Sequence, residues 1–123
     1  MEKVLILGCK HTMDDICVAC SRCLVGFNKR EGVFEMYENT DTQLIGIMNC
    51  GDCPGASVVT RLAQLNLWNS QNNEKPTKVH IAPCITHHCP YKDVIISKVK
   101  AKVSVTVEVI EGTHPYLPEN IFA

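Results

Sequence analysis

The stretch Lys3-Val4-Leu5-Ile6-Leu7-Gly8-Cys9 is almost entirely apolar, and it ends in a cysteine. A run without polar alternation is typical of a parallel strand that is buried on both faces of its sheet. Gln43–Asn49 and Lys78–Pro83 are two further runs that we predict to be strands of the same sheet. From Val103 to Val109, valine alternates with polar residues. This alternation indicates a strand with one wetter face, and hence a strand at the edge of the sheet.

Helical patterns separate the four predicted strands. Thr12 and Asp15 form a start signal that predicts a helix after the first strand. Val58, Leu62 and Leu65 recur with helical spacing after the second strand, and another apolar stripe precedes the fourth. The order β-α-β-α-β-α-β predicts an α/β fold with a single doubly wound, mostly parallel four-stranded sheet, flavodoxin-like or Rossmann-like. A flavodoxin-like strand order, 2-1-3-4, would place the alternating strand at an edge.

Length, composition and charge narrow the class of protein. The chain has 123 residues, which suits a single domain over residues 1–123, and 46% of them are hydrophobic. The formal net charge is −1 and no basic block is present, so we expect no nucleic-acid partner. No apolar run approaches the roughly 18 residues of a membrane span, so we expect no membrane partner. The first apolar run is too short for a signal peptide, which predicts a cytoplasmic protein.

Eight cysteines occur in the chain, and several follow the predicted strands. In a reducing compartment a cysteine-rich pattern indicates metal binding or catalysis more often than disulfides. Cys9, Cys50 and Cys84 follow the first three strands, and His114 comes shortly after the fourth. Because ligands bind outside the carboxyl ends of parallel strands, we expect these side chains to meet at one edge of the sheet. Together with Cys53 they are the predicted metal ligands, with the sulfur atoms of Cys9, Cys50 and Cys84 within about 10 Å of one another.

Cys50 and Cys53 form a C-x-x-C at the turn from the second strand to the next helix. Pro54 fits the first turn of that helix, and helix N-termini stabilise thiolates. Three interpretations are open for the pair. The two sulfurs are half of a metal site, a redox pair of thioredoxin type, or two thiols packed in a turn.

A second cysteine group has the spacing C-x-x-C-x-x-C, at Cys17, Cys20 and Cys23. Iron–sulfur ferredoxins begin in this way, but the position of their fourth cysteine is occupied here by Phe27. Cys89, which precedes a proline, could supply a remote fourth thiolate. Cys17, Cys23 and Cys89 are therefore candidates for a second metal site or for completing the first. The alternative is that one or two of these cysteines are small core residues.

Histidines complete the inventory of polar side chains near the predicted site. His80 lies inside the third strand, and its two-residue spacing places it on the same face as Cys84. We expect it to orient a thiolate or a substrate rather than to bind metal directly. The histidines of the loops are expected to be solvated: His11, His87 and His88.

Several short motifs, spread over nearly the whole chain, resemble those of the CGGC domain family. They include Cys50-Gly51-Asp52-Cys53-Pro54-Gly55, His80-Ile81-Ala82, Cys89-Pro90 and Glu111-Gly112-Thr113-His114. The resemblance implies metal binding by cysteines and histidines, and it implies no particular reaction. One position departs from the family's name-giving motif, because Asp52 stands where the third residue is glycine. Asp52 is a ligand, a helix N-cap or a harmless substitution. A glycine that needed positive φ would not readily become aspartate, so we expect this turn to tolerate a side chain.

The sequence therefore predicts a metal-binding protein with a cysteine and histidine site at the C-terminal edge of a parallel sheet. Zinc is the first choice of metal and an iron–sulfur cluster the alternative, since thiolate-rich sites suit both. A thiol oxidoreductase or iron–sulfur enzyme that uses the Cys50–Cys53 pair is a second interpretation. A metal-stabilised adaptor is a third. Neither an enzymatic reaction nor a small-molecule or protein partner follows from the sequence.

Overall fold

A computed structural model describes residues 1–15 and 21–114, and its strands form one four-stranded sheet. All of the neighbouring strands are parallel, in the order β2-β1-β3-β4. The predicted α/β class, parallel sheet and 2-1-3-4 order are thereby confirmed, and the architecture is flavodoxin-like. The bounds of the strands are β1 Glu2–Gly8, β2 Thr42–Asn49, β3 Lys78–Ile81 and β4 Glu108–Glu111.

Helices connect the strands. The α-helices are α1 Lys10–Asp15, α2 Ser21–Asn28, α3 Val58–Asn69, α4 Pro83–Thr86 and α5 Lys92–Lys102. Two 3₁₀ helices are also present, at Gly32–Tyr37 and Ser70–Asn72. In the described part of the chain no helix is long and apolar enough to cross a membrane.

The sheet has a hydrophobic cluster on each face, because alternate residues of the buried strands point in opposite directions. Leu5 and Leu7 of β1 pack with residues of α3 and α5 in the first cluster. Val4 and Ile6 pack on the other face, with the aromatic residues of α2 and of the first 3₁₀ helix. Every one of these four β1 side chains is fully buried, as the continuous apolar run predicts. Layers on both faces make the sheet doubly wound.

Two predicted strands are shorter than the sequence indicates. β3 ends at Ile81 because Pro83 has no N–H group for a sheet ladder and instead opens α4. β4 begins only at Glu108, after a turn in which the Val107 amide donates to the Ser104 carbonyl at 2.9 Å. Val105 is fully exposed in that turn. The alternating valines thus mark the approach to an edge strand rather than the strand itself.

Two helices begin at other residues than the ones that the sequence signals. α1 starts at Lys10, directly after β1, so Thr12 lies within it rather than before it. α3 starts at Val58, and Pro54 belongs to the preceding turn, where its peptide bond with Cys53 is cis. The segment between Cys50 and Val58 is therefore an irregular loop. It contains Asp52 and Cys53, which belong to the candidate site described below.

Candidate metal centre

The loop after β2 places its first cysteine inside the protein and its second at the surface. The Cys50 amide donates to the Gly8 carbonyl at 2.9 Å, which fixes the loop beside the end of β1. Cys50 is only 1% exposed, whereas Cys53 is exposed. Gly51 has a φ of +74°, and a Cβ there would lie 1.9 Å from Ser57 Oγ. Only glycine fits at this position, because the loop folds back tightly against the start of α3.

Asp52 also has a positive φ, of +84°, which is the backbone region that favours glycine. The turn holds a side chain, as expected, but the premise that aspartate would not stand at a position of positive φ is wrong. Aspartate tolerates the conformation better than most residues because its short carboxylate can bond locally. Here Asp52 Oδ1 accepts from the Cys53 amide at 2.8 Å and lies 2.8 Å from His11 Nε2. The Cys53 amide, and then the imidazole, hold the pKa of the Asp52 carboxyl below its usual value.

His11, Asp52 and Cys53 each offer one ligand atom, and the three atoms lie within 4.8 Å of one another. All three residues are exposed. Across residues 1–15 and 21–114 this is the one group of three or more metal-binding side chains that is so close. His11 was not predicted to be a ligand, because it belongs to the loop histidines that are expected to be solvated. The signal that could have found it is the unusual aspartate at a glycine position.

The ends of β1, β2 and β3 bring further cysteines to the same edge, and we call Cys9, Cys50, Cys53, Cys84 and Cys89 the rim thiols. The Cys9 amide donates to the sulfur of Cys84 at 3.1 Å. Cys9, Cys50 and Cys89 all pack in or against the hydrophobic cluster of α3 and α5. Cys84 packs against both clusters, because it lies just beyond the end of the central strand β3.

Charge on neighbouring rim thiols affects the ionisation of two of them, Cys53 and Cys89. Partial loss of hydration in the loop raises the pKa of Cys53, although the residue is exposed, and negative charge on Cys50 and Cys89 raises it further. Burial raises the pKa of Cys89, and charge on Cys9 and Cys50 adds to the effect. Thiols that hinder one another's ionisation are stable together as thiols, or as thiolates around a cation.

Two other predicted ligands, Cys23 and His114, lie in or beside α2. Cys23 is buried in α2, in the aromatic cluster on the face opposite Cys50. His114 lies beside α2, where a Cβ on Gly26 would be 2.7 Å from the Cβ of His114. Cys17 falls outside the residues that the structure describes. The assignment of Cys9, Cys17, Cys23, Cys50, Cys53, Cys84, Cys89 and His114 as metal ligands stays a prediction.

His80 is fully buried and makes hydrogen bonds through both of its ring nitrogens. Nδ1 lies 2.7 Å from the Gly112 carbonyl, which can only accept, so Nδ1 carries the proton. Nε2 then accepts from the Tyr37 hydroxyl, also at 2.7 Å. Burial lowers the pKa of the imidazole. The role that these bonds indicate for His80 is to anchor the loop after β4.

Comparison with known proteins identifies the family. No curated protein and no solved structure shows significant similarity to this chain. The family model of the CGGC domain matches residues 3–114, which is nearly the whole chain and, apart from Glu2, includes the four described strands. The match agrees with the motifs that the loops carry. The chain therefore belongs to the CGGC domain family.

Proposed function

We propose that the protein binds a metal ion at the edge of its sheet, with His11, Asp52 and Cys53 as ligands. The observation that carries the proposal is the proximity of one nitrogen, one oxygen and one sulfur atom, all within 4.8 Å of one another. Two ligands of one tetrahedral zinc ion lie about 3.6 Å apart, from metal–ligand bonds of about 2.0 to 2.3 Å. Small rotations of exposed side chains are enough to reach that geometry.

The chemistry of the donor set supports zinc as the metal. Imidazole, carboxylate and thiolate are all ligands of zinc, whereas magnesium and calcium prefer oxygen alone. Three protein ligands leave a fourth position for water, for a substrate or for another rim thiol. Cys50 and Cys89 are the thiols whose charge acts most strongly on Cys53. A closed site with a further thiolate would be structural, as in a metal-stabilised adaptor, and an open one would suit metal handling or catalysis.

An iron–sulfur cluster is the alternative cofactor, and the rim thiols support it. A cluster needs several thiolates in one place, and five cysteines are carried near the ends of three neighbouring strands. The raised pKa values of Cys53 and Cys89 favour a bound cation, because positive charge removes the cost of ionising adjacent thiols. The raised pKa of Cys53 argues against this cysteine as the attacking thiol of an oxidoreductase. A cysteine that attacks disulfides needs a lowered pKa, so that it is ionised at neutral pH.

Metal analysis of protein purified without oxygen tests the proposal. We expect about one zinc ion per chain, in a colourless sample, because zinc has a filled d shell. His11→Gln and Cys53→Ser should each lower the metal content sharply. His88→Gln, a matched change at another exposed histidine, should leave it unchanged. A metal-free protein that also fails to bind added zinc would refute metal binding, and a brown sample would favour iron–sulfur over zinc.

A further inference from the structure

A pocket that is separate from the proposed metal ligands lies beyond the carboxyl ends of β3 and β4. It is a pocket of about 500 Å³, which falls in the size range of small-molecule sites. Its walls come from the start of the first 3₁₀ helix, from α4 and α5, and from the loop after β4. The lining residues that matter below are Val33, Pro83, His87, Lys92, Glu111 and Thr113.

Thr113 provides an unsatisfied polar group in this lining. The residue is 1% exposed, and among the described residues its Oγ1 has no hydrogen-bond partner. Its backbone is fixed, since the Thr113 carbonyl accepts from the Val33 amide at 2.8 Å. A buried hydroxyl without a partner is unfavourable, and natural proteins keep such groups mainly where a ligand or water satisfies them.

The wall that carries Thr113 is rigid. The Gly112 amide donates to the Ile81 carbonyl at 2.8 Å, and the Gly112 carbonyl accepts from His80 Nδ1. Gly112 has a φ of +117°, and a Cβ there would lie 2.6 Å from Val33 Cγ2. The loop therefore has little freedom to turn the Thr113 hydroxyl towards another partner. A rigid wall of this kind is preorganised for binding.

The polar side chains of the pocket include several hydrogen-bond donors, which suit a ligand with acceptor oxygens, and one ion pair. Lys92 Nζ lies 2.9 Å from Glu111 Oε1, and both side chains are partly exposed. The imidazoles of His87 and His114 add two groups that can donate hydrogen bonds. Glu111 is the single carboxylate among the lining residues. Val33 and Pro83 contribute apolar surface beside these donors.

We propose that this pocket binds a small organic carboxylate, whose apolar part contacts Val33 and Pro83. The Lys92 ammonium faces the carboxylate, and the Thr113 hydroxyl donates a hydrogen bond to the bound molecule. Cys84 lies in α4 between the lining residues Pro83 and Thr86, so the ligand would sit next to the rim thiols. The proposal uses none of His11, Asp52 and Cys53, so it stands or falls independently of the metal site.

Binding of benzoate, followed by heteronuclear NMR, tests the proposal. Benzoate joins a carboxylate to an apolar ring, and benzamide is its neutral counterpart of the same shape. We expect saturable shifts of the signals of residues 86–92 and 111–114, and benzamide should bind at least tenfold more weakly. Thr113→Val and Lys92→Gln should each weaken benzoate binding about tenfold, as expected for the loss of one bond to a charged group. Lys100→Gln, an exposed lysine of the same helix outside the pocket, should bind as the wild type does.

Thr113→Val has a second readout, because it removes an unsatisfied buried hydroxyl and keeps the shape of the side chain. The variant should be at least as stable as the wild type in thermal unfolding. The proposal is overturned by benzamide binding as tightly as benzoate, by shifts that map elsewhere, or by no saturable shifts at millimolar benzoate. Should Thr113→Val fail to fold, Lys92→Gln and Lys100→Gln still decide between the outcomes.

Discussion

Replacing Tyr37 by phenylalanine tests the hydrogen bonds that anchor the loop after β4. The Tyr37 hydroxyl lies 2.7 Å from His80 Nε2, and the two residues are 3% and 0% exposed. Without the hydroxyl, Nε2 is a buried acceptor with no donor, which costs about 1–3 kcal/mol. We expect Tyr37→Phe to lower the free energy of unfolding by about 2 kcal/mol at a pH where histidine is neutral. Tyr91→Phe makes the same change at an exposed tyrosine and should alter stability by less than about 0.5 kcal/mol.

The same anchor predicts how stability depends on pH. Burial lowers the pKa of His80 in the folded protein below its unfolded value of about 6.5. Above that pH the imidazole is neutral in both states and contributes no pH dependence. As the pH falls below about 6.5, the unfolded chain takes up a proton that the folded protein resists, so stability decreases. The slope from this one group is at most about 1.4 kcal/mol per pH unit, down to the folded pKa.

Urea unfolding between about pH 5 and pH 8 measures both effects. His80→Asn removes the titrating group, and its side-chain N–H can still reach the Gly112 carbonyl. The wild type should lose more stability than His80→Asn as the pH falls from about 6.5 to about 5. Parallel pH profiles for the two proteins would refute the assignment of the neutral imidazole. A Tyr37→Phe protein that unfolds at the same urea concentration as the wild type would refute the buried hydrogen bond.

Further changes at Asp52, at the metal and at Gly112 test the site and the loops. Asp52→Gly relieves the strain of the positive φ and removes a proposed ligand, so this variant should fold well but bind zinc at least tenfold more weakly than the wild type. The Asp52→Ala variant should also bind zinc weakly, and its melting temperature should be lower, because alanine does not relieve the strain. Removal of metal with a chelator should lower the melting temperature, because a metal that binds only the folded state stabilises it. If the rim thiols complete the site, Cys50→Ser should lower the metal content. An unchanged melting temperature together with an unchanged metal content would contradict a role of the rim thiols in metal binding. Gly112→Ala should destabilise the protein by roughly 2 kcal/mol in urea unfolding because of its φ of +117° and the contact with Val33, and a neutral result would show that the loop can relax.

The strand order could be predicted because it depends on the pattern of hydrophobic residues, which can be read directly from the sequence. The uninterrupted run of β1 predicts a central strand, and the alternation before β4 predicts an edge. The ends of the helices and strands were predicted less accurately, because they depend on single backbone groups. Pro83 ends β3 through its missing N–H, and Pro54 lies in a turn instead of a helix. The residue at which a helix or strand ends is determined by local hydrogen bonds, and hydrophobic periodicity does not reveal these bonds.

The candidate site was predictable only in part, for a related reason. Parallel strands bring Cys9 and Cys84 to one edge, and the hydrogen bond from the Cys9 amide to the Cys84 sulfur agrees with that expectation. The approach of His11 to Asp52 depends on the positive φ of Asp52 and on the start of α1 directly after β1, which the sequence does not reveal. Thr113 stands out in the sequence only as a member of the Glu111-Gly112-Thr113-His114 motif, because a buried hydroxyl becomes informative only when its surroundings are known.

The shortness of β4 has a consequence for the behaviour of the protein at high concentration. A parallel sheet folds slowly, because its neighbouring strands are distant in sequence. During folding, an exposed strand edge can pair with a strand of another molecule. β4 offers only the four residues Glu108–Glu111 at its end of the sheet order. Both of its glutamates are held by lysines, Lys78 at 2.7 Å and Lys92 at 2.9 Å. A brief edge flanked by charge is a poor template for strand addition, so this side of the sheet is protected against aggregation.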